Sequence, residues 1–305
     1  MTKLLDRLAA DETYFGLIYT VDDGDDWFDE TIWPKANPNY RISVFEDSLQ
    51  SLANKAKVLP ASQAAFKTKH LNMWINSSSP LFDIQAWLRC GDPSLKLEDF
   101  EGEDCCIGID LADRNDITAK VLLFWKRIDG ERHYYCFATN YLPEIAIEDS
   151  RNSSYYGWQQ DGQFKVTSGN VTDFSVIEYD VLDDYRRFNV IQASFDPWQS
   201  SYLVQRLMAE GVPMLEYRQS VGNLSAATKE LQALILKGRI HHNGGDCLSW
   251  QISNCTGKYD LMENVKPFKE QKPQKIDAAI ALIMALGARL MQEEENDGAF
   301  RWISF

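Results

Sequence analysis

Short apolar runs follow one another closely over the middle of the chain. Between residues 105 and 138 there are three of them, separated by the turn-like sequences Ala112–Asn115 and Asp129-Gly130. Short runs bounded by Asp, Asn and Gly are typical of strands joined by tight turns. The pattern therefore predicts three antiparallel strands, at 105–111, 117–125 and 132–138.

From residue 173 onward, segments with helical spacing alternate with short apolar runs. We predict helices at 173–188, 199–210, 224–237 and 276–292, and strands at 190–195 and 213–217. Alternating helices and strands favour parallel pairing. The predicted fold class is therefore α/β, with a mixed sheet of three antiparallel strands followed by parallel strands, flanked by helices.

The first 98 residues have a different pattern. They predict helices at 41–58, 61–71 and 84–88, a loop at 76–80 and one strand, at 15–21, with no partner nearby. We therefore divide the chain into a mainly helical linker region, 1–98, and an α/β domain, 99–305. A strand without a partner is unusual, which suggests that the chain begins partway through a larger parent protein.

Composition narrows the possible functions. The chain has 305 residues, 45% of them hydrophobic, and a formal net charge of −14. Such an acidic chain does not resemble a protein that coats DNA. A metal-dependent nuclease remains compatible, because bound cations offset the charge of the carboxylates that hold them.

Targeting signals and cysteine motifs are both missing from the sequence. No apolar run approaches the ~20 residues of a membrane span, and the first residues contain no signal core. The six cysteines contain no CxxC pair, so we expect buried free thiols and no zinc site. These features predict a cytoplasmic protein that does not act at a membrane.

Three aspartates adjoin predicted core elements. Asp110 ends the first apolar run of the α/β region, Asp196 ends the run 190–195, and Asp277 opens the apolar terminal helix. Each of them alone could be a turn residue or a helix cap. Carboxylates held at the edge of a core could also converge and bind divalent cations, as in a metal-dependent nuclease.

The predicted order of elements is the ribonuclease H-like arrangement. In that arrangement the first strand lies beside the fourth, so Asp110 and Asp196 would be neighbours and the terminal helix would add Asp277. Two cations ~3.5–4 Å apart can be held by such a set of carboxylates. Mg²⁺ and Mn²⁺ suit sites built from oxygen ligands.

Residues from about 13 to 292 resemble the large terminase subunit of tailed bacteriophages. The resemblance is carried by Gly108–Leu111 with Asp116–Ala119, by Phe195–Trp198, by Gly238–His242 and by Lys275–Ala281. Upstream, Trp33–Pro38 and Leu71–Trp74 resemble the segment that joins the two domains of that family. The resemblance implies an endonuclease that cuts concatemeric double-stranded DNA during genome packaging in the bacterial cytoplasm, encoded by a phage or prophage. It implies the portal protein and the small terminase subunit as partners. The family's metal-binding acids fall on Asp110, Asp196 and Asp277.

Members of that family also carry a packaging ATPase. A phosphate-binding loop needs the pattern G-x-x-x-x-G-K-[ST], and this sequence has none: Gly257-Lys258 is followed by Tyr259, and position 252 is Ile. We therefore expect no ATP site in this chain and interpret it as the nuclease half with a remnant of the ATPase end.

Four further residues are secondary candidates. Asp116 lies across a predicted turn from Asp110 and could reach the metal or cap the turn. Lys275 could contact a DNA phosphate or be an ordinary surface lysine. His241 and His242 could contact DNA or serve the structure.

Two other functions remain open from the sequence. The first is another enzyme of the ribonuclease H-like class, such as a resolvase or transposase, although those usually carry basic DNA-binding appendages. The second is a non-catalytic interaction module within a degenerate prophage protein. The three aspartates favour the nuclease.

Overall fold

A computed structural model describes residues 17–22, 25–58, 66–73, 80–112, 116–148, 154–197, 201–271 and 274–296. The chain forms two compact units, Met1–Ser79 and Pro80–Phe305. Our sequence-based boundary lay after residue 98. The structure includes residues 80–98 in the second unit, because Phe82 and Trp87 pack into its core.

The first unit is built around a small aromatic and aliphatic core. A short 3-10 turn, Glu30–Ile32, leads into helix α1, Trp33–Ala36, and then α2, Glu46–Val58; residues 66–70 are also helical. This core includes the buried side chains of Trp33, Ala36, Leu49, Ala53, Phe66 and Leu71.

Two sequence predictions for this unit need correction. The strand predicted at 15–21 is not observed in its described part, and residues 17–22 form no strand. Side-chain hydrogen bonds hold this segment instead of strand pairing: Asn72 Nδ2 donates to Tyr19 O (2.9 Å), and Thr20 Oγ1 donates to Leu71 O (3.3 Å). Helix α2 begins at Glu46 rather than at 41, because Arg41 adopts φ 62° in a turn.

The helix predicted at 61–71 is observed at 66–70, and residues 61–65 lie outside the described residues. Most of the loop predicted at 76–80 also lies outside them.

The antiparallel strands that open the second unit are confirmed. A helix, α3 (Ile84–Arg89), and a 3-10 turn lead into β1 (Asp104–Asp110), β2 (Thr118–Ile128) and β3 (Glu131–Pro143). Strand β2 pairs antiparallel with both neighbours. The turn between β2 and β3 is Asp129-Gly130, with positive φ at both residues, as a tight two-residue hairpin turn requires.

Helices and strands then alternate as predicted, with several short additions. In order they are α4 (Glu144–Glu148), α5 (Ser154–Gln160), β4 (Phe164–Thr167), α6 (Phe174–Arg187), β5 (Asn189–Phe195), α7 (Ser201–Ala209), β6 (Met214–Glu216), α8 (Val221–Leu236), β7 (Ile240–His242), α9 (Asp246–Ser253), β8 (Thr256–Tyr259), β9 (Val265–Phe268) and α10 (Asp277–Asn296). The sequence pattern does not predict α4, α5, β4, β7, α9 or the strands β8 and β9, each of which is eight residues long or shorter.

Within the described residues, seven strands form one mixed sheet in the order β4-β3-β2-β1-β5-β6, with β7 also pairing with β3. Strand β1 lies in the centre and pairs parallel with β5, which in turn pairs parallel with β6. The predicted mixed sheet is therefore confirmed, including the position of the first strand beside the fourth predicted one.

Helix α10 is the main cover of one sheet face. It contacts β1, β2 and β5 on one side and α8 on the other, and its residues from Ala278 to Leu286 are almost completely buried. A Cβ at Gly108 of β1 would lie 1.8 Å from the carbonyl oxygen of Ala281. Glycine at this position therefore lets the helix backbone rest directly on the strand. The opposite sheet face packs on α6 and α7.

All six cysteines are free and buried, as predicted. Burial raises the pKa of the Cys106 thiol to about 12, so this thiol stays protonated at neutral pH. Among the described residues, no helix combines the length and the apolar character needed to cross a membrane.

Candidate functional site

Two of the three predicted aspartates end neighbouring parallel strands. Asp110 is the last residue of β1, and Asp196 directly follows β5. Ile109 pairs with Phe195 across the two strands, so both aspartates leave the sheet at the same edge. Both are partly buried. This is the edge at which open parallel sheets usually carry their ligand sites.

Gln219 joins these two carboxylates. It lies between β6 and α8, at the same edge of the sheet. Its side-chain Nε2 donates to Asp110 Oδ1 at 2.7 Å, and its backbone N–H donates to Asp196 Oδ2 at 2.9 Å. A shallow cavity lined by Asp196, Arg218, Gln219 and Ser220 opens beside them. One residue therefore holds both strand-end carboxylates.

Asp277 is positioned by the start of α10. The side chain of Gln251, from α9, accepts a hydrogen bond from Ala278 N at 2.7 Å and donates to Asn140 Oδ1 on β3 at 2.8 Å. Asn254 Nδ2 donates to the carbonyl oxygen of Lys275 at 3.0 Å. The first turn of α10 is thereby tied to both α9 and the sheet. Asp277 Oδ2 is buried and has no hydrogen-bond partner among the residues that the structure describes.

The carboxylates influence one another's pKa. Burial raises the pKa of Asp110 well above its usual range, and the neighbouring charge of Asp277 and then of Asp196 raises it further, whereas the hydrogen bond from Gln219 lowers it. Burial, followed by the charge of Asp116, raises the pKa of Asp277 to about 7. Carboxylates shift one another in this way when they lie close together.

Asp116 is already paired with lysines. It forms an ion pair with Lys269 at 3.4 Å and a shorter one with Lys275. Both lysines lower the pKa of Asp277, so their positive charge acts on the same group of acids. Lys275 thus lies beside the aspartates, and Lys269 is a neighbour that the sequence analysis did not identify.

The two histidines lie elsewhere on the sheet. Asp110 pairs with Ala119, which pairs with Asn140 on β3. His241 of β7 pairs instead with Tyr135, five residues before Asn140 on β3. At ~3.3 Å per residue and ~4.8 Å per strand this separation is roughly 20 Å. The structure therefore does not bring the histidines together with the aspartates.

Each histidine has a partner within the protein. His241 contacts His133, with 2.9 Å between Nε2 and Nδ1, and stacks on Tyr135. His242 is buried, stacked on Trp87 with ring centroids 4.1 Å apart, and hydrogen-bonded to the carbonyl oxygen of Trp87 at 3.0 Å. These contacts account for both rings structurally.

The chemistry of the aspartates fits a hard divalent cation. The potential ligands are carboxylate oxygens, and within the described part of the chain the buried Asp277 Oδ2 has no hydrogen-bond partner. Across the described ranges, however, no three His, Cys, Asp or Glu side chains form a preassembled metal-binding group. Gln219 donates to Asp110 and Asp196, and two lysines pair with Asp116, so each of these acids is held by protein partners.

The family model described as "Terminase large subunit, endonuclease domain" matches residues 9–293. The chain belongs to the terminase large-subunit endonuclease family. This terminase domain is 36% identical over 304 residues to Protein YmfN of Escherichia coli K12, covering 96% of this chain and 67% of YmfN. It is 26% identical to the terminase large subunit of Enterobacteria phage HK97, covering 88% of this chain and 53% of that protein.

The crystal structure of the HK97 large terminase is also similar to this terminase domain. It has a TM-score of 0.61 and 25% identity, and the match covers 88% of this chain and 56% of that one. The predicted resemblance and the ribonuclease H-like fold class are thus confirmed. The chain spans little more than half the length of the HK97 protein.

Sequence reasoning missed Gln219, Gln251 and Lys269. A signal existed for Gln219, because it follows the predicted strand 213–217 and sites gather at the ends of parallel strands. Gln251 lies on a helix that was not predicted, and Lys269 follows an unpredicted strand.

Proposed function

We propose that this terminase domain is a metal-dependent endonuclease that cuts concatemeric double-stranded DNA during phage genome packaging. The observation that supports the proposal is that Asp110 and Asp196 leave adjacent parallel strands at one edge of the sheet and share Gln219 as a hydrogen-bond donor. The charge of Asp277 also raises the pKa of Asp110. Family membership supports the same activity.

Asp110, Asp196 and Asp277 would hold two divalent cations, Mg²⁺ or Mn²⁺. When bound, these ions would activate the attacking water and stabilise the leaving oxygen of the phosphodiester. The protein's own contribution is to fix the acids. The ends of β1 and β5 place two of them, and the hydrogen bonds of Gln251 and Asn254 place the first turn of α10, which carries the third.

The lysines beside the acids would serve the DNA. Lys269 and Lys275 share Asp116 as their counter-ion, so we assign Asp116 to holding these lysines rather than to the metal. Lys275 would contact a phosphate of the bound strand. Because the net charge of the chain is −14, binding would depend on a few such contacts and would weaken as salt increases.

The assembly around the domain follows from the family. Its substrate would be the DNA concatemer in the cytoplasm of the bacterial host, and its partners would be the portal protein and the small terminase subunit. We propose no ATP site in this chain, since the sequence has no phosphate-binding loop.

Cleavage of a supercoiled plasmid tests the proposal. The full chain should nick and linearise the plasmid with Mn²⁺, and EDTA should stop it. Asp110→Asn and Asp277→Asn should reduce the rate by more than about a thousandfold, because they remove metal ligands on which the rate enhancement depends.

The matched control is Asp129→Asn, an exposed aspartate in the β2–β3 turn, which should cut like the wild type. Wild-type rates in the Asp277 variant would mean that the carboxylates are wrongly assigned. A wild-type chain that binds DNA but never cuts it, with any of these metals, would favour the non-catalytic interaction module.

A further inference from the structure

Gln219 contacts the two strand-end acids through different parts of the same residue. The side-chain carboxamide donates to Asp110, while the backbone N–H donates to Asp196. A change of side chain therefore removes the first contact and leaves the second. This separation makes the role of the carboxamide accessible to experiment.

The backbone around Gln219 is fixed on every side. Tyr217 N donates to Phe195 O at 2.7 Å, which ties the turn to the end of β5. Lys266 Nζ of β9 donates to the carbonyl oxygen of Gln219 at 3.2 Å. Ser220 caps α8 by accepting from Asn223 N. The carboxamide thus projects toward Asp110 from a rigid base.

We propose that Gln219 is a positioning residue that orients Asp110 toward Asp196 and so sets the affinity of the site for a divalent cation. The inference rests on the proposed function, because it assumes that these aspartates bind metal. In this role Gln219 contacts the aspartates that would bind the metal and does not touch the reacting atoms.

The physical basis is the number of acceptor positions on a carboxylate. Two oxygens offer about four lone-pair positions, and the carboxamide of Gln219 uses one on Asp110 Oδ1. The remaining positions can still face a cation, while rotation of the Asp110 side chain is restricted. Loss of a group that orients a metal ligand typically reduces metal affinity by about 10–100-fold.

The test measures Mn²⁺ binding to the full chain by electron paramagnetic resonance of the free ion, without DNA. Gln219→Met keeps the length of the side chain and removes the donor, and Gln219→Ala removes the donor without adding apolar bulk. The matched control is Gln232→Met on α8, where Nε2 also donates a hydrogen bond, at 2.8 Å, but to the carbonyl oxygen of Leu81.

We expect both Gln219 variants to bind Mn²⁺ about tenfold more weakly than the wild type or worse, and Gln232→Met to bind within about twofold of it. Melting temperatures in EDTA should stay close to the wild-type value. If Gln219→Met and Gln232→Met bind Mn²⁺ equally well, while Asp110→Asn abolishes binding, the role of Gln219 is overturned and the nuclease proposal stands.

Wild-type binding that is absent, or that does not respond to Asp110→Asn, overturns both the proposed function and this inference. If the Gln219 variants fail to fold, the wild-type protein still gives an answer by nuclear magnetic resonance. Substoichiometric Mn²⁺ should broaden the carboxamide signal of Gln219 and leave that of Gln232 sharp. Equal sharpness of both signals would overturn the inference.

Discussion

Buried carboxylates occur in two different settings in the second unit. In the core, Asp184 of α6 forms an ion pair with Lys120 of β2, and each side chain is only 5% exposed. At the sheet edge, Asp110 accepts an amide hydrogen bond, and one oxygen of Asp277 has no hydrogen-bond partner among the described residues. Burial raises the pKa of all three carboxyls.

The difference lies in where the compensating charge comes from. Asp184 has a full positive charge from the protein itself, so its raised pKa belongs to a closed structural pair. The edge acids lie close to one another, and the nearby lysines form their ion pairs with Asp116. A raised pKa alone therefore does not mark a site. At the edge, Lys269 and Lys275 lower the pKa of Asp277, yet it stays raised because burial and the charge of Asp116 outweigh them.

The largest expected effect concerns the core pair. Lys120→Met leaves Asp184 buried without its cation, and we expect the free energy of unfolding to fall by about 3–5 kcal/mol. Urea denaturation measures this loss. Lys126→Met on the same strand is the control, because Lys126 pairs with Glu103 at the surface and should cost about 0–1 kcal/mol. Equal losses would mean that the buried pair is not special.

The pH dependence of the metal-free protein tests the edge acids. The pKa of Asp277 is about 7 in the folded protein and ~3.9 in an unfolded chain. Between these values the folded protein keeps a proton that the unfolded chain has lost, so its stability falls as pH rises from about 4 to about 7 and then stays level.

We expect this group to account for a loss of about 2–4 kcal/mol across that range, measured by urea denaturation in EDTA. Asp277→Asn should remove this part of the slope and stabilise the metal-free protein at pH 8. Asp129→Asn serves as the control, and its curve should follow that of the wild type. Superimposable curves for wild type and Asp277→Asn would show that the titration of Asp277 does not cause the loss of stability.

The smallest expected effect is stabilisation by metal. At a free Mn²⁺ concentration ten times the dissociation constant, binding should add about 1.4 kcal/mol, which corresponds to a rise of about 3–6 °C in the melting temperature of the second unit. Asp196→Asn should abolish the rise. NaCl at the same ionic strength controls for screening, and an equal rise with NaCl would contradict specific binding.

The sheet was predictable where its elements are long and their turns are distinctive. Strands β1 to β3 and helix α6 were predicted as elements, although β3 extends to Pro143, five residues beyond the predicted 132–138. Asp129-Gly130 has the residues that a tight hairpin turn requires. The unpredicted strands β4 and β7 have four and three residues. Runs that short become strands through pairing with β3, a contact that local patterns do not encode.

The site was predictable only in part, for a similar reason. An aspartate at the end of a strand is visible in the sequence, whereas Gln219 and Gln251 act through hydrogen bonds to residues distant in the sequence, which depend on tertiary folding. The strand predicted at 15–21 is wrong for the opposite reason: the local pattern is present, but the described residues form no strand. Its apolar pattern suits a strand, but its described residues bond to side chains and carbonyls of the segment near Leu71.

The tight contact between Gly108 and Ala281 has a consequence for synthesis of the protein. During translation β1 emerges long before α10, so the apolar sheet face that α10 covers has no partner while the intervening residues are being made. Native packing of this face must wait until α10 has been translated. Until then the nascent chain presents an uncovered apolar surface, and such a surface is prone to aggregation.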